Sequence, residues 1–95
     1  MSFEICASGF DANVNGTYTM IDTDIWFNGN YYIYHDSYYW WISDSQYTWE
    51  ITHRVAQRIY EVATDYTRVY GDGVYGYYTG LDGHSGGYVA NGSCP

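Results

Sequence analysis

The chain has no lysine, one proline and only three arginines among its 95 residues. Against eleven acidic residues this leaves a formal charge of -8. A protein that grips phosphates needs a basic face, so the missing cations exclude nucleic acid as a partner and disfavour anionic membrane surfaces. No apolar run approaches the roughly 20 residues of a membrane-spanning helix, which excludes membrane insertion by that route. The N-terminal stretch Met1 to Cys6 has neither a basic start nor a long apolar core, so no signal peptide is expected within this chain. His35, His53 and His84 show no H-x-x-x-H spacing, and no segment reads as a calcium loop. No metal site and no cofactor are therefore expected. The aspartates that crowd the Gly- and Asn-containing stretches are expected to hydrogen-bond their own turns.

Cysteine is also scarce. Cys6 and Cys94 stand almost at the two ends of the chain, with no histidine near either, which is too few ligands for structural zinc. Ends of small domains commonly lie close together. A Cys6–Cys94 disulfide would close nearly the whole chain, contributing about 4–5 kcal/mol in the loop-entropy model. The other reading is two free, buried thiols. Disulfide pairing fits an extracellular or virion-surface setting.

What the chain has in excess is aromatic surface. Fourteen tyrosines, four tryptophans and three phenylalanines make 22% of it. Tyr and Trp combine a large contact area with a polar edge and few rotatable bonds. Mixed with Asn, Ser, Gly and Asp, they give the composition of a recognition surface. The length fits a single domain, residues 1–95, with one modest core.

Glycine divides the chain. Residues 30–70 contain none, whereas eight of the eleven lie in residues 71–95. Asn-Gly pairs at Asn15-Gly16, Asn28-Gly29 and Asn91-Gly92 signal tight turns. Around them, residues 17–21, 25–27, 31–34, 38–42, 74–78 and 87–90 read as short antiparallel strands. Residues 48–70 read differently. Ile51, Val55, Ile59, Val62, Tyr66 and Val69 recur at steps of three and four, and Glu50, Arg54, Arg58, Glu61, Asp65 and Arg68 follow the same step on the opposite face. That spacing predicts an amphipathic helix, with Thr48 as its cap and Gly71 as its stop. The expected fold is α+β, a small antiparallel sheet packed by this helix. The β-branched and aromatic content of the segment leaves all-β as the alternative.

Val14-Asn15-Gly16-Thr17-Tyr18, Asn30-Tyr31-Tyr32-Ile33-Tyr34, Tyr39-Trp40-Trp41-Ile42-Ser43-Asp44 and Gly87-Tyr88-Val89-Ala90-Asn91-Gly92 together follow an NG-x-Y … YY-I-Y … W-x-I-S-D pattern over about half the chain. The pattern resembles a small β module that recurs in multidomain surface proteins of aquatic microbes. The resemblance implies a compact, non-catalytic β unit and carries no site residues. The 48–70 helix would be an insertion in it.

Gly83-His84-Ser85-Gly86-Gly87 matches G-x-S-x-G, but the nucleophile elbow needs a parallel sheet that this length cannot house. It reads as a glycine-rich loop. Asn15-Gly16-Thr17 and Asn91-Gly92-Ser93 are glycosylation sequons that coincide with turns. The chain is expected not to be an enzyme. Its expected role is a structural, assembly or surface-decoration protein, such as a virion component, that presents an aromatic face to other protein subunits in a homo- or hetero-oligomer. The alternative is a carbohydrate-binding module whose partners are glycans. The residues expected to form the binding face are Trp26, Tyr32, Tyr34, Tyr39 and Trp41, of which Tyr32, Tyr34, Tyr39 and Trp41 alternate along neighbouring strands.

Overall fold

Short runs of β-branched and aromatic residues, bounded by Gly, Asn and Asp, become the strands of one closed sheet. A computed structural model describes residues 3–36, 39–45, 53–58 and 71–95. Its strands are β1 (Glu4–Ser8), β2 (Gly16–Asp22), β3 (Ile25–Phe27), β4 (Tyr32–His35), β5 (Trp40–Ser43), β6 (Arg54–Arg58), β7 (Gly76–Gly80) and β8 (Gly87–Asn91). Each pairs antiparallel with the next, and β8 pairs back to β1, giving an eight-stranded up-and-down barrel. Closure leaves no strand edge for another chain to extend.

This architecture corrects the expected α+β class and agrees with the all-β alternative. Among the described residues there is no α-helix; a 3-10 turn at Gly71–Val74 leads into β7. Arg54–Arg58, inside the segment expected to be helical, is the strand that joins β5 to β7. Val55 and Ala56 are both buried because the register shifts opposite Ile42 and Ser43. A bulge of this kind breaks strict alternation, so the two-residue period that marks a strand is absent here. Barrel closure then overrides local periodicity, since without β6 both β5 and β7 would be open edges. The other positions that carried the helical pattern, in 48–52 and 59–70, lie outside the described residues.

Side chains that alternate inward fill the barrel. Ile5, Tyr18, Trp26, Ile33, Trp40, Ile42, Ala56 and Val89 are all completely buried. Trp26 and Trp40 meet at 6.0 Å between ring centroids. Two buried tyrosines are satisfied at opposite rims. The Tyr18 hydroxyl donates to the Val14 carbonyl at 2.5 Å, and the Tyr78 hydroxyl donates to the Val74 carbonyl at 2.8 Å. Burial raises the Tyr18 pKa well above its ordinary value, with a smaller contribution from Tyr31. Phe10 closes the first rim, edge-on to Tyr78 at 6.1 Å. Gly87 makes room for it, since a Cβ there would sit 2.7 Å from the Phe10 ring and 2.3 Å from the Ser8 carbonyl.

The seam between β1 and β8 is closed covalently. Cys6 and Cys94 form a disulfide across 88 residues, with Cα atoms 4.9 Å apart. Cys6 stands opposite Ala90, Gly92 turns the chain at φ +86°, and the Cys94 amide donates to Thr17 Oγ1 at 2.9 Å. The expected pairing of first and last strands is therefore present. A disulfide belongs to a non-reducing environment.

Candidate functional site: the outer wall of the barrel

Because buried side chains fill inward positions all round the barrel, recognition is sought on the outer wall and the two rims. In an antiparallel sheet, directly opposed residues share a face. The outward set therefore runs from Tyr34 to Trp41 to Gln57, and from Ser8 to Tyr88 to Tyr77.

The five residues expected to form one platform are divided between inside and outside. Trp26 points inward, is completely buried and offers no surface. Tyr34 and Trp41 occupy outward positions but are only 1% and 9% exposed. Tyr32 is half-buried and stacks on Phe27 at 4.4 Å. Tyr39 is exposed and meets Trp41 edge-on at 5.7 Å. Tyr32, Tyr34 and Trp41 share the outward face, while Tyr39 precedes β5. Trp26, on the adjoining strand, stands opposite Ile33 and so takes the inward face.

Trp41 is locked from both sides. Its indole Nε1 donates to Asp36 Oδ2 at 2.9 Å, and the Arg54 guanidinium lies 3.9 Å over its ring. Arg54 also approaches the same carboxylate oxygen at 3.6 Å. Asp36 Oδ1 accepts the Tyr39 amide at 2.8 Å, which ties the β4–β5 turn to the cluster. Carboxylate, indole and guanidinium thus hold one another in place.

The exposed aromatic surface lies elsewhere. Tyr77 on β7 and Tyr88 on β8 are cross-strand partners, 78% and 39% exposed, in edge-to-face contact at 4.8 Å. Beside them, Tyr75 donates a hydroxyl hydrogen bond to Asn91 Oδ1 at 3.3 Å. The β7–β8 turn that sets this register is built on Asp82 and Gly83, both at positive φ, with the His84 amide donating to the Leu81 carbonyl at 2.9 Å. Asp11 anchors the turn. It accepts the His84 Nδ1 proton at 2.5 Å and the Ser85 amide at 3.2 Å. The His84 hydrogen bond, followed by that from Ser85, holds the Asp11 carboxyl below its ordinary value. Ser85 and His84, the residues of the G-x-S-x-G match, are therefore turn residues fastened to Asp11.

Sequence reasoning did not select Tyr77 and Tyr88, although the signal was present. A two-residue turn at Asp82-Gly83, counted outward, pairs residue 78 with 87 and 77 with 88, which is the observed register. Among the described residues no group of three or more His, Cys, Asp and Glu side chains is placed to hold a metal ion. No protein-family model, curated protein or solved structure matches the chain.

Proposed function

We propose that this barrel is a non-catalytic assembly or surface-decoration domain that binds other protein subunits through the outer wall of β7 and β8. The observation that carries the reading is the Tyr77–Tyr88 pair. Two large rings stand at the surface, outside the buried core, so they contribute little to the fold. Rings held rigidly on paired strands lose little entropy when a partner covers them, and Tyr is enriched among the residues that dominate interface energy. The cross-linked seam beside this wall fits an extracellular or virion-surface setting, where no chaperone restores a lost fold. The charge of -8 keeps unassembled subunits apart until a complementary partner meets them.

The test is the double substitution Tyr77→Ser and Tyr88→Ser in the chain as it occurs in its native assembly. The variant is expected to melt within a few degrees of the parent and to be lost from the assembly on size-exclusion chromatography. Undiminished incorporation refutes the reading.

A further inference from the structure

An open cleft of about 610 Å³ lies at the first rim, lined by neither Tyr77 nor Tyr88. We propose that it binds a neutral saccharide, a ligand and a site separate from the protein-binding wall.

The cleft is formed where the β3–β4 turn, the end of β5, the start of β6 and the β7–β8 turn converge. Its volume falls within the range of about 300–1,000 Å³ that small-ligand sites occupy. Tyr31, Val55 and Leu81 supply apolar walls, and Trp41 also lines the cleft. Asp44 and Asp82 supply carboxylates at the rim. His53, with 75% of its side chain exposed, stands 3.5 Å from Asp44, and the Arg54 side chain follows it in the wall.

Three features of this arrangement select the ligand chemistry. An apolar aromatic wall beside polar groups suits a sugar ring, which has one face of C–H bonds and an edge of hydroxyls. Each hydroxyl both donates and accepts, and the rim places acceptors (Asp44, Asp82) next to a donor (His53). Two carboxylates repel phosphate, sulfate or an acidic sugar. A neutral polyol satisfies the set without burying a charge on the ligand.

The site is also fixed in place. The Leu81 amide donates to the Val55 carbonyl at 2.9 Å, which fastens the β7–β8 turn to β6 across the cleft. The Asp44 amide donates to the His53 carbonyl at 3.3 Å, and His84 is held by Asp11. On the other side, the Asn28 carboxamide oxygen accepts the Asn30 and Tyr31 amides at 2.8 and 2.6 Å and sets the position of Tyr31. Walls braced in this way need little reorganisation when a ligand enters.

The experiment probes the intact chain against an array of neutral, acidic and amino-sugar oligosaccharides. The best-retained neutral glycan is then titrated into ¹⁵N-labelled protein. The proposal expects retention of neutral glycans, with shifts at Asp44, His53, Leu81 and Asp82 and none at Tyr77 or Tyr88. Asp44→Ala is expected to weaken binding by about tenfold, the loss of one hydrogen bond to a charged group, at an unchanged melting temperature. Asp82→Asn keeps the turn, because Asn tolerates positive φ, and weakens binding severalfold. Tyr77→Ser leaves glycan binding intact, so this site and the protein-binding wall fail independently. Retention of no neutral glycan, preference for acidic or amino sugars, shifts confined to the β7–β8 wall, or undiminished binding by both aspartate variants each overturns the proposal.

Discussion

Replacing Cys6 and Cys94 together by Ala removes the covalent seam and leaves the hydrogen-bonded one. In the folded barrel little changes, since β1 and β8 still pair from Ile5↔Asn91 to Ser8↔Tyr88. The effect falls on the unfolded chain. The bridge spans 88 residues of sequence, and a loop of that length restricts the unfolded ensemble by about 4–5 kcal/mol at room temperature. Small domains have total stabilities of about 5–10 kcal/mol, so the substitution removes about two-fifths of it or more. At about 4–8 °C per kcal/mol for a chain of this size, the melting temperature falls by about 16–40 °C. Chemical denaturation of the parent and the double variant, in identical buffer without reductant, measures the difference directly. A loss under about 1 kcal/mol refutes the reasoning. It would mean that the unfolded chain already holds its ends together, or that the bond strains the barrel by as much as it restricts the coil.

Other consequences follow from burial and charge. Trp26→Ala empties the centre of the barrel and is expected to cost about 3–5 kcal/mol, whereas Tyr77→Ser changes stability by less than about 0.5 kcal/mol; urea titration of both separates core from surface. Tyr18 resists ionisation in the fold, because burial raises its pKa above the ordinary phenol value of 10.0. The unfolded chain loses that proton first, so the contribution is fully present below 10 and stability declines as pH climbs beyond it; Tyr18→Phe is expected to flatten the decline. Asp11 behaves with the opposite sign. Its carboxyl titrates below the ordinary 3.8, so its hold on the β7–β8 turn persists above that value and is lost as pH falls further, visible as acid-dependent shifts of the His84 and Ser85 amides.

Much of the barrel is legible in the sequence, strand by strand. Runs at 17–21, 25–27 and 87–90 lie within strands β2, β3 and β8, and Asp82-Gly83 fixes the last hairpin. Asn28-Gly29 marks the β3–β4 turn one residue early. The pairing of Phe27 with Tyr32 centres the turn on Gly29 and Asn30, with Asn28 capping it through its side chain. The pairing of chain ends follows from two cysteines at either end. Closure is not legible, because it is a non-local requirement: no residue of β6 announces that both its edges will be paired. For the same reason the sequence marks Trp26 as aromatic without saying that its parity turns it inward. Burial of Trp41 is hidden too, since it depends on Asp36 and Arg54 converging from different strands.

The central claim is that the β7–β8 wall is covered in the working assembly. Hydroxyl-radical footprinting of tyrosine, read by mass spectrometry on the isolated chain and on the native assembly, tests it most directly. Tyr77, 78% exposed in the single chain, is expected to react readily when isolated and to be protected on assembly, with Tyr88 following it. Tyr18, completely buried, serves as the internal reference and stays unreactive in both. Equal modification of Tyr77 in the isolated chain and in the assembly would contradict the account.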